Sequence, residues 1–143
     1  MRAIRTTVWL FVFLAVFLGA SGRAEAGRVT VSNQAGSDVL LAFMFYDVER
    51  NDFVVRGWYR VPAGKQLYWN FDFDPGKYVY WYARNADGGD KQWPSRGDRP
   101  QAVVDEPMDH VYDKIKEMPR AYNVEFATVE ADAEGGIWIS LVD

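Results

Sequence analysis

The chain has 143 residues, 49% of them hydrophobic and 16% aromatic, with 16 Lys+Arg against 20 Asp+Glu for a net charge of −4. That length holds one domain and excludes two, and an acidic chain with scattered basic residues excludes a nucleic-acid footprint and argues against docking on anionic lipid. The sequence contains no cysteine, so disulfide staples and a lipoprotein attachment are excluded and stability rests on packing, for which the aromatics are the means.

Met1 to Arg5 carries two cations, Arg2 and Arg5, and Val8 to Ala20 then runs without a charge. The run falls short of the roughly 20 apolar residues that a membrane-spanning helix needs. It suits the h-region of a secretory signal, and Ala24-Glu25-Ala26 has the A-x-A shape that signal peptidase reads. Residues 1–26 are therefore expected to be a cleavable signal peptide, with 27–143 a single β-rich domain and no stable membrane span once the signal is removed. The mature chain is the more acidic, because Arg2, Arg5 and Arg23 leave with only Glu25. Its expected location is the periplasm or the exterior.

Strand patterns dominate the mature chain. Arg28 to Asn33 alternates, and Gly36-Ser37-Asp38 is a turn signal. Val39 to Tyr46 is apolar on both faces, which marks a central strand covered on both sides. The polar stretch Asp47 to Asp52 makes a hairpin-like connection to a strand from Phe53 to Val61, closed by Pro62-Ala63-Gly64-Lys65. Leu67, Trp69, Phe71 and Phe73 then share one face of a strand, and Gln66, Tyr68, Asn70 and Asp72 share the other. Asp74-Pro75-Gly76-Lys77 is a turn, with Pro fixing φ and Gly accepting positive φ. It leads to a partner strand from Lys77 to Asn85.

Ala86 to Gln101 reads as a long polar loop containing Trp93. A helix is expected at 107–118, with Pro107 as its first residue behind Asp105 and Glu106. Met108, Val111, Tyr112, Ile115 and Met118 form its apolar stripe, and Pro119 stops it. Two last strands, Tyr122 to Val129 and Ile137 to Val142, flank the turn-like Ala133-Glu134-Gly135-Gly136. The expected fold is mainly β: an antiparallel, sandwich-like domain of about seven strands with one short amphipathic helix.

Three segments in order carry a resemblance. Val31-Ser32-Asn33 precedes an apolar strand ending in Tyr46; Gly57-Trp58-Tyr59-Arg60-Val61-Pro62-Ala63-Gly64-Lys65 comes second; then Tyr78-Val79-Tyr80-Trp81-Tyr82-Ala83 and Trp93. Together they resemble the bacterial exported domain-of-unknown-function family 1036, with its G-W-[WY]…P-x-G segment and tyrosine-rich strand. The resemblance implies a small envelope protein with no established activity and brings no catalytic residues with it.

Chemistry-bearing constellations are sparse. His110 is the sole histidine, and with no cysteine nothing stands ready to complete a metal site. Ser32, Ser37, Ser95 and Ser140 lie outside any nucleophile elbow. Glu130, Asp132, Glu134 and Gly135 mimic the first half of a calcium loop, but its twelfth position is Leu141, so the segment reads as a hairpin with acidic decoration. No catalytic residue, metal ligand or cofactor is expected.

The tyrosines at 78, 80 and 82 share one face of their strand, and hairpin register decides which face is buried. If Phe73 pairs with Tyr78, the tyrosines enter the core. A shift by one sets Trp69 against Trp81 and moves the tyrosines to the face of Tyr68, Asn70 and Asp72. Side-chain chemistry favours the second register, because buried phenols need partners. That face is then covered by the 107–118 helix or another sheet, or it is a ligand platform, since rigid amphipathic aromatics suit recognition. The candidate binding residues are Tyr68, Tyr80 and Tyr82, with Trp93 on the adjacent loop. The expected function is an exported envelope module that binds a protein or cell-envelope component, an immunity or inhibitor protein being one version. The rival is a carboxylate-dependent hydrolase acting on envelope carbohydrate, built on acids such as Asp72 with Asp74, Asp87 with Asp90, or Asp105 with Glu106.

Overall fold

The computed structural model describes residues 27–71 and 78–143. The expected signal peptide and the turn at Asp74-Pro75-Gly76-Lys77 lie outside the described residues. In chain order the strands are β1 (Gly27–Asn33), β2 (Val39–Asp47), β3 (Asp52–Val61), β4 (Gln66–Phe71), β5 (Tyr78–Asn85), β6 (Gln92–Trp93), β7 (Arg99–Val103), β8 (Met108–Val111), β9 (Tyr122–Glu130) and β10 (Gly136–Leu141). The helix α1 (Tyr112–Glu117) falls between β8 and β9.

Two sheets face one another. The smaller has the order β10-β1-β4, and the larger runs β7-β9-β5-β2-β3-β8 with β6 beside β5. Every pairing is antiparallel except β1 with β10, which is parallel. The expected sandwich-like β architecture is therefore present. β2 and β3 form the hairpin that the polar stretch after Asp47 suggested.

Period-two alternation builds the first core. Val29 and Val31 of β1, Phe71 of β4, and Ile137, Ile139 and Leu141 of β10 point from the small sheet toward Val39, Leu41, Phe43, Phe45, Val54, Val61, Val79 and Ala83 of the large one. Rings interlock at its centre: Phe43 lies 5.8 Å from Tyr59, 5.8 Å from Trp69 and 5.5 Å from Phe71. A second core lies on the far face of the large sheet, where Ala42, Met44, Val55, Tyr80 and Tyr82 meet Val103, Met108, Ile115 and Phe126. β2 is thus apolar on both faces because it is sandwiched twice.

Several expectations are corrected. β4 does not pair with β5. It pairs with β1, placing Trp69 opposite Val29 and Leu67 opposite Val31, while β5 pairs with β2, β6 and β9. Both registers considered from the sequence therefore assumed a hairpin that does not form. The segment expected as a helix at 107–118 divides: Met108–Val111 is a strand on the edge of β3, and only Tyr112–Glu117 is helical. Ladder hydrogen bonds to an open edge outweigh the helical spacing of the apolar residues, yet Met108, Tyr112, Ile115 and Met118 still reach the second core. Part of the expected loop is β7, which tolerates Pro100 because it is an edge strand paired only with β9. Glu130 to Gly136 is not a hairpin. β9 and β10 belong to different sheets, joined through a tight turn in which the Asp132 carboxylate accepts the Glu134 and Gly136 amides at 2.9 and 2.7 Å.

Candidate functional site

Tyr80 and Tyr82 are core residues, 7% and 5% exposed. Tyr82 stacks on Phe126 with centroids 5.9 Å apart and meets Trp58 edge-on at 6.0 Å. Their phenols find the partners that burial demands: Tyr82 donates to Gln92 Oε1 at 3.1 Å, and the Tyr80 oxygen accepts from Arg99 Nη1 at 3.0 Å. Burial raises the Tyr82 pKa. The cover expected over this face is α1 together with the β7 segment. Trp93 is half-buried at the rim of the first core, donates Nε1 to Val142 O at 2.8 Å, and lines a shallow pocket of about 320 Å³ with Lys91, Ser95 and Asp143. Tyr68 lies on the small sheet. The structure therefore does not bring the four candidates together.

It gathers a different group around Tyr68. The outward positions of the small sheet are Arg28, Thr30 and Ser32 on β1, Gln66, Tyr68 and Asn70 on β4, and Trp138 and Ser140 on β10. Register places Thr30 opposite Trp138 on one side and opposite Tyr68 on the other. The two rings are the most exposed large hydrophobics among the described residues, at 60% each. Neighbouring strands lie about 4.8 Å apart, so the backbone positions of Tyr68 and Trp138 stand roughly 10 Å apart on one face with a small hydroxyl residue between them.

Polar groups frame this face. The Arg28 guanidinium sits 4.6 Å from the Tyr68 ring centre and donates through Nε to Asn70 Oδ1 at 3.3 Å. Trp138 Nε1 donates to Ser140 Oγ at 3.1 Å, which fixes the indole against its own strand. Beside Trp138 a shallow pocket of about 190 Å³ is lined by Arg28, Thr30, Asp132 and Gly136. The β9–β10 turn holds Asp132 there, and Gly136 leaves it room, since an added Cβ would lie 2.8 Å from an Asp132 oxygen and shift that carboxylate.

The sequence carried part of this signal. Ile137-Trp138-Ile139-Ser140 alternates with a tryptophan at an outward position, a large apolar group where a polar one is usual. What the sequence lacked was the adjacency of β1, β4 and β10, which are distant in the chain.

Other polar clusters serve the fold. Arg56 lies over Phe45 and Phe71 at 5.7 and 5.8 Å, and bridges Asp47 at 3.5 Å and Asp109 at 3.1 Å. Partial burial opposes ionisation of Asp109, but the Arg50 hydrogen bond and the charges of Arg56 and Arg50 outweigh it and lower its pKa. Arg84 stacks 4.0 Å from the Trp58 ring and reaches Asp105 at 3.2 Å. Tyr122, which donates to the same carboxylate at 2.6 Å, and Arg84 together lower the Asp105 pKa.

Among the described residues, the acids with shifted pKa values and the carboxylates lining the two pockets above do not show the pairing that a carboxylate hydrolase uses. A general acid needs a raised pKa and a second carboxylate facing it across a cleft. Asp38, Asp105, Asp109 and Asp143 are all shifted downward, and each of the two pockets described above contains one carboxylate, Asp132 beside Trp138 and Asp143 beside Trp93. Asp87 accepts the Gly89 amide of its own loop at 2.9 Å, and Glu106 faces Arg120 at 3.9 Å. Asp72 and Asp74 lie outside the described residues. No family model, curated protein or solved structure matches this chain.

Proposed function

We propose that the protein is an exported envelope binding module, related to the exported family it resembles, and that it binds through the outer face of its small sheet. One observation carries the reading: two aromatic side chains, Tyr68 and Trp138, are each 60% exposed on one face of the small sheet, while most other aromatics among the described residues are used for packing. Monomeric domains seldom leave such groups in water together without a partner. The export half rests on the Arg2 and Arg5 start, the uncharged run and the A-x-A site.

The test uses cells expressing the full 143-residue sequence. The released protein should have the mass of a chain beginning at Gly27 and should sediment with isolated cell envelopes. The Tyr68→Ala/Trp138→Ala double variant should bind envelopes about tenfold more weakly or worse, with an unchanged melting temperature. Retention of an uncut chain in the cytoplasm would contradict export, and equal sedimentation of the double variant would contradict the binding face.

A further inference from the structure

We infer that this face binds a saccharide chain, its two exposed rings each stacking on a sugar; the inference deepens the binding-module reading and rests on it. The spacing argues first. Trp138 and Tyr68 are each one strand away from Thr30, so the backbone positions that carry the two rings are separated by about twice 4.8 Å. That is close to the distance between alternate sugars of a linear β-linked chain. A single chain laid across the strands would therefore place one pyranose on the indole and another on the phenol, with the intervening sugar over Thr30. Thr30 is small enough to leave that path flat.

The polar framing argues next. A pyranose has an apolar C–H face, which suits an aromatic ring, and a rim of hydroxyls, which suits planar groups able to give two hydrogen bonds, to take two, or to do one of each. Arg28, Asn70 and Asp132 are such groups, and the first and last line the pocket beside Trp138. Charge then narrows the choice. The pocket is lined by one guanidinium and one carboxylate, so it is locally balanced and matches a neutral, polyhydroxylated ligand. Single-stranded nucleic acid also stacks on aromatics, but it calls for a groove lined with cations. A protein partner favours a contiguous apolar centre sealed by a polar ring, whereas here the two rings are separated by a hydroxyl residue.

The experiment titrates the full secreted chain with chitohexaose, cellohexaose and peptide-free peptidoglycan glycan strands, followed by tryptophan fluorescence and calorimetry. At least one of these chains should bind and change the Trp138 emission. The corresponding monosaccharide should bind about tenfold more weakly or worse, because it reaches only one ring. Tyr68→Ala and Trp138→Ala should each cost about tenfold in affinity. Thr30→Lys, which keeps both rings and raises a long side chain between them, should abolish binding and guards against a folding artefact in the other two. The inference is overturned if none of the three chains binds, or if binding is indifferent to Tyr68, Trp138 and Thr30. If the saccharides fail while envelope sedimentation still depends on Tyr68 and Trp138, only the ligand class falls. If sedimentation is also indifferent to those residues, the binding-module reading falls with it.

Discussion

Gly57 shows how one residue can set the direction of several. A Cβ there would come within 3.0 Å of Leu41 O and 3.1 Å of Ala42 Cα, on the central strand where the β2–β3 register shifts. Leu41 faces Tyr59 and Ala42 faces Gly57, so Trp58 is the extra residue of a bulge. The bulge turns Trp58 toward the second core, where its Nε1 donates to Val104 O at 2.9 Å, while Tyr59 packs into the first. Gly57→Ala should destabilise by about 1–3 kcal/mol, since the backbone of a doubly covered strand has little room to yield. Urea unfolding checks this, and a variant as stable as the parent would show that the hairpin relaxes around the new methyl. Asn33 is similarly committed: 1% exposed, it donates to Ser37 O and Val61 O and accepts from Ala35 N, fastening the end of β1 to its neighbours.

At the scale of elements, α1 is only six residues long, too short to persist without tertiary contacts. Ile115, fully buried, is its anchor in the second core. Ile115→Ala should cost about 2–5 kcal/mol, and hydrogen exchange should quicken in α1 and β7 before it does in β1 or β2. Uniform acceleration across both sheets would show that the second core is not a separable layer. The sequence disclosed the strands by their alternation, and the double cover of β2 by its apolar run. It disclosed the helix only in part. Helical spacing from Met108 to Met118 reports which residues are buried, and a short strand followed by one turn of helix satisfies the same spacing. Partner choice was the illegible part. Leu67, Trp69 and Phe71 say that one face of β4 is inward, but nothing in that segment says that β1, rather than β5, lies beside it. For the same reason Tyr68 was identified as outward while Trp138, its companion across Thr30, was not.

For the whole molecule, stability should fall at both ends of the pH scale. Asp38 is lowered chiefly by the Ala63 amide and then Arg60, and Asp143 chiefly by Lys91 and then the Gly36 amide; Asp105 and Asp109 are lowered as well. A carboxyl lowered from its ordinary value of 3.8 adds stability above that pH and loses it as pH falls through the folded value. Tyr59 and Tyr82 are raised above 10.0 by burial, so their contribution is complete below that value and is lost as pH rises through the folded one. Melting temperature should therefore hold between roughly pH 5 and pH 9 and drop on either side. Tyr82→Phe should flatten the alkaline drop, and an undiminished drop in that variant would place its origin elsewhere. The central claim is the binding face itself, and side-chain footprinting on cell envelopes tests it most directly. Tyr68 and Trp138 at 60% exposure and Tyr78 at 54% should all react in the free protein. With the protein bound to envelopes, labelling of Tyr68 and Trp138 should fall sharply while Tyr78 stays reactive; protection of Tyr78 or Trp93, with Tyr68 and Trp138 still labelled, would contradict the account.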